Sequence, residues 1–242
     1  MQTLKLRILV IIAIIFVYSC DERIPVSFSE SSLEINKNAS IAINIPKAEG
    51  NIMVGEKINN TIANHIANAL VFSEEESDTI TLDFAITTFD SEYAKFKSDF
   101  TEDALVWEAL IDGEVTYQSP MVITIAINSY LNTGGAHGNM NITLFNFDAV
   151  TGDIIPNEAL ITDLTLFTEL AMKHFRTNTK TQEQDDFGDY FFGEGFHLPA
   201  NIGFNEDGIL LFYNVYEIAS YAVGITEFTI PFDEVEDNLA MF

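Results

Sequence analysis

The chain has 242 residues, with 37 Asp and Glu against 11 Lys and Arg, and a formal net charge of −26. This charge excludes a general nucleic-acid binder, because nucleic-acid phosphates require a basic protein surface. It also disfavours the bare face of an anionic membrane. Two explanations stay open, which are the solubility of a secreted domain and the long-range attraction of a cationic partner. The chain has one Cys, so its fold depends on a buried core rather than on an internal disulfide.

The first 20 residues have the pattern of a secretory signal. Lys5 and Arg7 precede an apolar run over residues 8–17, which is too short to cross a bilayer core of about 30 Å. The run ends in Val-Tyr-Ser-Cys and is similar to the lipobox of bacterial lipoproteins, in which the signal is cut before an acylated cysteine. We expect residues 1–19 to be a signal peptide and Cys20 to carry the palmitate-type lipid. An ordinary signal peptide with a chance cysteine is the alternative.

The first third of the chain predicts a tether, a strand, a helix and a second strand. Residues 20–38 are polar and rich in Ser, which indicates a flexible tether. Alternating Ile residues over 41–45 predict a short strand. From Gly55 the apolar spacing becomes four residues, which predicts a helix that buries Ile58, Ile62, Ile66 and Leu70. The alternation of apolar and polar residues over 80–86 predicts a half-buried strand.

The middle of the chain predicts a hairpin followed by two longer strands. Residues 107–111 and 115–118 have strand-like composition and flank Asp112-Gly113, a dipeptide typical of tight hairpin turns. Further strands are predicted over 122–130 and 142–148. No linker rich in Pro, Gly or Ser separates the two halves of the chain here, so we expect them to pack tightly, with the strand over 122–130 interior.

The second half predicts one helix, a long loop and several strands. Apolar residues at helical spacing over 166–175 follow Asp163, a plausible N-cap. Residues 177–194 are polar and acidic, which indicates a surface loop, and strands are predicted near Ile202 and over 209–213 and 227–232. Because strands and helices come in blocks, the predicted fold is α+β, with a mainly antiparallel sheet and a few packed helices in two related subdomains.

The segment between the two long strands is the densest cluster of turn residues in the chain. Three glycines lie within residues 134–138, and glycine permits both unusual backbone angles and close approach of a ligand. His137 in this loop is a candidate general base or metal ligand. The competing interpretation, which we favour, is a histidine that hydrogen-bonds its own loop.

No other pattern indicates catalysis or metal binding. The sequence has no HExxH, CxxC, GxSxG, P-loop or GxGxxG spacing. Acidic runs such as Glu74-Glu75-Glu76 have the character of solvated loop charges and not of a calcium loop. We therefore predict no catalytic residue, no bound metal and no cofactor.

Two segments of the chain resemble known families, YLNTGGAHGNMNITLFNFDAVTGD and FNEDGILLFYNVYEIASYAVGITEFTIPFDEV. Together they resemble the extracellular domain of RsiV-type anti-sigma factors and the accessory domain of PdaC-type peptidoglycan deacetylases. The resemblance implies a PdaC-type subdomain over residues 39–118 and an RsiV-type subdomain over residues 119–242. In RsiV this region binds lysozyme, which implies a protein-recognition surface and no catalytic centre.

The resemblance and the residues together predict a lipid-anchored, non-catalytic binding protein of the cell envelope. We expect an outer-membrane location, on the periplasmic or the surface face. The expected ligand is a cationic, lysozyme-like protein of the envelope or the host, or a peptidoglycan or other glycan. The alternative is an enzyme that modifies envelope polysaccharide with His137, or its accessory domain. The candidate ligand-binding residues are Gly134, Gly135, His137, Gly138, Asn139, Tyr213, Tyr216, Glu217 and Tyr221.

Overall fold

A computed structural model of the protein describes residues 25–72, 79–100, 105–181 and 187–240. The predicted signal peptide, Cys20 and the acidic run Glu74-Glu75-Glu76 lie outside the described residues. The described part folds into two mainly antiparallel sheets with packed helices. The predicted α+β class is therefore confirmed. Within these residues, no helix is both long enough and apolar enough to cross a membrane.

The N-terminal unit is a five-stranded sheet in the order β1-β2-β3-β4-β5, with two helices on one face. Neighbouring strands are antiparallel except β2 and β3, which are parallel and are joined through both helices. The elements are β1 Ser27–Asn36, β2 Ser40–Glu49, α1 Ile52–Leu70, α2 Leu82–Phe100, β3 Glu108–Gln118, β4 Val122–Asn132 and β5 Asn139–Asp148.

The C-terminal unit is a three-stranded antiparallel sheet, β6-β7-β8, packed against a helix. The predicted N-cap is confirmed, since Asp163 accepts hydrogen bonds from the backbone N–H groups of Thr165 and Leu166, both at 3.0 Å. The elements are α3 Asn157–Leu160, α4 Leu164–Thr179, β6 Asn201–Phe204, β7 Gly208–Tyr213, β8 Thr226–Pro231 and α5 Phe232–Val235, with 3-10 turns at Phe191–Gly193 and Glu236–Asn238.

The strand predicted over residues 80–86 is wrong, because this segment begins α2. Its exposed alternating residues, such as Phe84 at 60% exposure, do not face the core. The residues that do are Ala85, Ile86, Phe89 and Tyr93. Their helical spacing outweighs a short local alternation that includes three Thr residues over 79–87.

The hairpin predicted at Asp112-Gly113 is also wrong, because β3 continues through both residues. Gly113 pairs with Ile127 of β4. A Cβ atom at Gly113 would lie 2.8 Å from Ile127 Cδ1 and 2.9 Å from Pro46 Cδ. The glycine therefore allows close packing within a strand, and it does not make a turn.

The tether predicted over residues 20–38 is wrong for residues 27–36, which form β1 and pair with β2 along ten residues. The strand is polar because it is an edge strand and mostly exposed. The carboxylate of Asp90 on α2 fastens the following turn, accepting bonds from the N–H groups of Asn38 at 2.8 Å and Ala39 at 3.1 Å.

Buried amide side chains join the two units. Asn146 of β5 donates to the carbonyl oxygen of Ile202 at 2.7 Å and accepts from Thr124 Oγ1 at 2.9 Å. Asn201 of β6 accepts from the N–H of Leu144 at 3.0 Å. These contacts lie on the face of β4 and β5 opposite the helices, so both faces of β4 are covered at its start. The expected subdomains over residues 39–118 and 119–242 share the first sheet, because β3 pairs with β4. The second sheet packs on it through the amide contacts above, so the predicted tight packing of the two halves is confirmed.

Candidate functional site

The glycine-rich loop, residues 133–138, connects β4 to β5 at one end of the first sheet. Gly138 is buried at the base of this loop. A Cβ atom there would lie 2.3 Å from two ring atoms of Tyr130, so a larger residue would have to displace that ring or the loop. Gly134 has a φ of +84° and donates its N–H to Asn132 Oδ1 at 3.0 Å. The sequence thus fixes a tight loop whose tip is exposed.

His137 lies at the exposed tip of the glycine-rich loop. Its Nδ1 lies 3.0 Å from the carbonyl oxygen of Gly138, as a donated hydrogen bond requires. The interpretation of His137 as a histidine that hydrogen-bonds its own loop is therefore confirmed. Its ring also stacks on Tyr221, with 4.4 Å between ring centroids and 18° between ring planes. This stack joins a loop of the N-terminal unit to a loop of the C-terminal unit.

The tyrosine loop, residues 214–224, connects β7 to β8 and supplies the other side of this contact. Tyr216 and Tyr221 are 55% and 47% exposed, and their ring centroids are 5.7 Å apart. We call His137, Tyr216 and Tyr221 the aromatic patch. Three of the predicted site residues thus come together at the surface, although they are far apart in the chain.

Polar side chains fasten the tyrosine loop to the two sheets. Asn214 accepts from the N–H of Ile142 and donates to its carbonyl oxygen, each at 2.8 Å. Glu217 accepts from the N–H groups of Ala200 and Asn214, also at 2.8 Å. Glu217, a predicted site residue, therefore braces the loop with both carboxylate oxygens. This bracing gives the patch a defined shape before any partner arrives.

Tyr213 is not part of the aromatic patch, contrary to the prediction. It is fully buried, and its hydroxyl donates to the carbonyl oxygen of His197 at 2.7 Å. Burial raises the pKa of Tyr213, and the nearby Glu217 carboxylate raises it further. Tyr213 is the last residue of β7 and faces the core, whereas Tyr216 and Tyr221 in the following loop face the solvent. The spacing of the tyrosines in the sequence does not show this difference.

A cleft lies beside the glycine-rich loop, between α1 and the end of the first sheet, and we call it the neutral cleft. Its volume is about 300 Å³. Predicted site residues Gly135, His137 and Asn139 contribute to it. Sequence reasoning missed the other lining residues, which are His65, Ala69, Phe72, Ser129, Leu131, Thr133 and Asn141.

The neutral cleft differs in charge from the rest of this acidic protein. No Asp, Glu, Lys or Arg occurs within residues 58–73 or within residues 115–147, the two stretches that supply its lining. The absence of charged residues from these two stretches was the feature of the sequence from which the cleft could have been predicted. Within the described ranges, no group of three or more His, Cys, Asp or Glu is placed to hold a metal ion. The cleft therefore offers hydroxyl, amide and imidazole groups for hydrogen bonding without a fixed charge.

Comparison with sequence families identifies both units. The family described as "Deacetylase PdaC" matches residues 33–140, and "Protein of unknown function (DUF3298)" matches residues 153–233. The chain thus contains a PdaC-type domain followed by a DUF3298 domain. The glycine-rich loop lies in the first match and the tyrosine loop in the second, so the aromatic patch joins the two domains.

Solved structures support this two-domain fold. A DUF3298 family member from Bacteroides fragilis aligns with a TM-score of 0.63 and 18% identity, covering 90% of this chain and 95% of that one. A DUF3298 family protein from Pseudomonas aeruginosa aligns with a TM-score of 0.57 and 20% identity over the same shares. At these identities the likeness concerns the fold alone. No curated protein gives a significant match to the sequence.

Proposed function

We propose that this protein is a non-catalytic binding module of the cell envelope, anchored by lipid at Cys20, and that its aromatic patch recognises a cationic, lysozyme-like protein. The observation that carries the proposal is the stack of His137 on Tyr221 at 4.4 Å. It builds one exposed surface from loops of two different domains. The resemblance to RsiV-type domains supplies the class of partner.

The composition of the aromatic patch suits protein recognition. Tyrosine combines a large rigid ring with a polar hydroxyl, and it is enriched among the residues that dominate binding energy at protein interfaces. Tyr216 and Tyr221 are about half exposed, so a partner has ring surface left to bury. Because Asn214 and Glu217 already hold the loop, binding loses little conformational entropy.

The charge of the chain favours a cationic partner. The formal net charge is −26, and removal of Lys5 and Arg7 with a signal peptide makes it more negative by two. Long-range attraction of this kind acts mainly on the association rate. The aromatic patch then supplies specificity at short range, while the acidic surface elsewhere steers the approach.

The experiment measures binding of lysozyme to the full chain in a nonionic detergent, by surface plasmon resonance at about 0.05 M and about 0.5 M salt. We expect binding at low salt with an association rate that falls at high salt. Tyr221→Ala should weaken binding at least tenfold, about the effect of an interface hot spot. The control Leu166→Ala, on the half-exposed face of α4, should bind as the wild type does.

Two results would contradict this proposal. Absence of binding at low salt removes lysozyme-like proteins as the ligand class. An unchanged affinity in Tyr221→Ala removes the aromatic patch as the binding surface. A salt-independent association rate leaves the patch in place but shows that the acidity has no steering role.

The lipid anchor has its own test. Cys20→Ala should move the protein from the membrane fraction to the soluble fraction, because it removes the residue that carries the proposed acyl chains. Continued retention in the membrane fraction would contradict acylation at Cys20. A second envelope lipoprotein in the same cells serves as the fractionation control.

Polysaccharide modification with His137 is the second candidate function, because His137 lines the neutral cleft. A general base requires a free nitrogen and an orienting partner. Donation of Nδ1–H to Gly138 leaves Nε2 of His137 free to act as a base, but no carboxylate of the described residues is hydrogen-bonded to the ring. Loss of a polysaccharide-modifying activity in His137→Ala, with lysozyme binding retained, would favour this second candidate.

A further inference from the structure

The neutral cleft lies where the helix-covered core of the first sheet changes from apolar to polar. Along β4, Ile123, Ile125 and Ile127 pack beneath α1 and α2. The next residues on that face are Ser129 and Leu131, which are paired with Asn141 and Asn139 of β5. The end of β4 therefore keeps the same face toward the helices, but hydroxyl and amide groups occur there in place of Ile side chains.

Ser129 has an unsatisfied buried hydroxyl that lines this cleft. The residue is 5% exposed, and its Oγ has no hydrogen-bond partner among the described residues. Buried polar groups in folded proteins nearly always have partners, so the unpaired Ser129 hydroxyl in the cleft lining marks a position for a ligand group.

The lining of the cleft selects against charge and in favour of hydroxyl and amide groups. With no Asp, Glu, Lys or Arg in its lining, the cleft offers a charged ligand no counter-charge. Hydroxyls of Ser129 and Thr133 and carboxamides of Asn139 and Asn141 each donate and accept hydrogen bonds. Such groups pair with ligands that also carry both donors and acceptors.

Apolar surface at the rim restricts the ligand further. Phe72 is 52% exposed and has a φ of +52°, a backbone angle uncommon outside glycine. Its flat ring matches the apolar C–H face of a sugar, and Leu131 and Ala69 offer a small surface that a methyl group can contact. A volume of about 300 Å³ lies at the small end of ligand pockets.

We propose that the neutral cleft is a saccharide site that binds one uncharged sugar unit bearing an acetamido group. The acetamido N–H and carbonyl oxygen pair with the carboxamide and hydroxyl groups, its methyl group contacts Leu131 and Ala69, and the sugar ring packs on Phe72. This site adjoins the aromatic patch through His137, which lines the cleft and stacks on Tyr221, but its other lining residues lie outside the patch. It does not depend on the proposed lysozyme binding.

The test is isothermal titration calorimetry of the full chain in nonionic detergent at about 0.15 M salt. The two ligands are triacetylchitotriose and the same trimer after removal of its acetyl groups. The two probes share one sugar skeleton and differ in charge and in the acetamido group. We expect the acetylated trimer to bind and the cationic trimer to bind at least about tenfold more weakly.

Variants locate the binding. Ser129→Ala should weaken binding of the acetylated trimer about tenfold while the melting temperature stays equal or rises, because the substitution removes an unpaired buried hydroxyl. A merely structural serine would show the opposite change in melting temperature. Ser32→Ala, on the exposed face of β1, is the matched control and should bind normally. Tyr216→Ala, in the aromatic patch but with its ring in contact with no described residue of the cleft lining, should keep sugar binding within about twofold, which distinguishes this site from the protein surface.

Three results would overturn the saccharide site. They are no binding of the acetylated trimer, equal or tighter binding of the cationic trimer, and unchanged binding in Ser129→Ala. The first two remove the ligand class, and the third removes the cleft as its location. None of them affects the proposed lysozyme binding, which is measured separately on Tyr221→Ala.

Discussion

The two domains of this protein meet in two places that are built differently. Beneath the surface, Asn146 and Asn201 join the sheets through hydrogen bonds to backbone groups and to Thr124. At the surface, His137 and Tyr221 join the loops through a ring stack that leaves both loops exposed. Buried amides fix the relative position of the domains, whereas exposed rings leave apolar area for a partner. Under the proposed function, stability and recognition therefore depend on separate contacts of one interface.

The largest expected effect is at the buried contact. Asn146→Ala removes two hydrogen bonds and leaves the carbonyl oxygen of Ile202 unpaired in a site where Asn146 is 2% exposed. We expect the free energy of unfolding, measured in urea, to fall by about 2–4 kcal/mol. The control is Asn178→Ala, an exposed Asn that donates to the carbonyl oxygen of Glu227. An equal loss in both variants would show that the buried Asn146 contacts contribute no more to stability than an exposed hydrogen bond.

A buried carboxylate inside the N-terminal unit provides a contrast in pH dependence. Burial raises the pKa of Asp90, but hydrogen bonds from Asn38 and Ala39 and the charge of Lys37 outweigh it, so the pKa lies below its ordinary value of 3.8. The folded-state pKa is thus lower than the unfolded one. The stabilisation that ionised Asp90 provides is present above its unfolded-state pKa, and it is lost as the pH falls through its folded-state pKa.

Asp90→Asn should therefore lower the free energy of unfolding by about 1–3 kcal/mol near pH 7. Below about pH 3 the difference between the variant and the wild type should shrink. Urea unfolding at about pH 7, 5 and 3 measures this. In contrast, the penalty of Asn146→Ala should be the same at each pH, since that interface contains neutral groups. A penalty of Asp90→Asn that is constant over this range would contradict the assigned role.

A smaller effect on stability is expected at the base of the glycine-rich loop. In Gly138→Ala the new methyl group collides with the ring of Tyr130, so either the ring or the loop must move. We expect a loss of about 1 kcal/mol in unfolding free energy together with weaker lysozyme binding. In the control Gly135→Ala the nearest atom to the new methyl group is the His137 carbonyl oxygen at 3.6 Å. Equal behaviour of the two variants would show that the loop shape does not matter.

The smallest effect on stability is expected at the exposed ring stack. Tyr221→Ala should change the free energy of unfolding by no more than about 0.5 kcal/mol, because the ring is 47% exposed. The loss of lysozyme binding in the same variant would then be an effect on recognition alone. A destabilisation as large as that of Asn146→Ala would mean that the stack holds the domains together.

Local sequence patterns predicted much of this fold. The four-residue Ile spacing of α1, the alternation along β4 and β5 and the N-cap at Asp163 all depend on near neighbours in the chain. The errors arose where distant packing decides the outcome. β3 packs closely on Pro46 and Ile127 at Gly113, and β1 pairs with β2 along its whole length.

The candidate site was predictable in part for the same reason. The glycine-rich loop and the tyrosine loop stand out in the sequence, but their contact between His137 and Tyr221 is tertiary. Tyr213 was misplaced because a one-residue change of direction at the end of β7 separates core from surface. The neutral cleft was missed because His65 and Ser129 come from a helix and a strand that are distant in the chain.

The most direct test of the binding surface is hydrogen–deuterium exchange of the full chain with and without lysozyme. Exchange reports which backbone amides a partner covers or rigidifies, so it locates the surface without any substitution. We predict slower exchange on lysozyme addition in residues 133–139 and 214–224, with no change in β1 or α4. Slower exchange in β1 or α4, with both of these loops unaffected, would contradict the account.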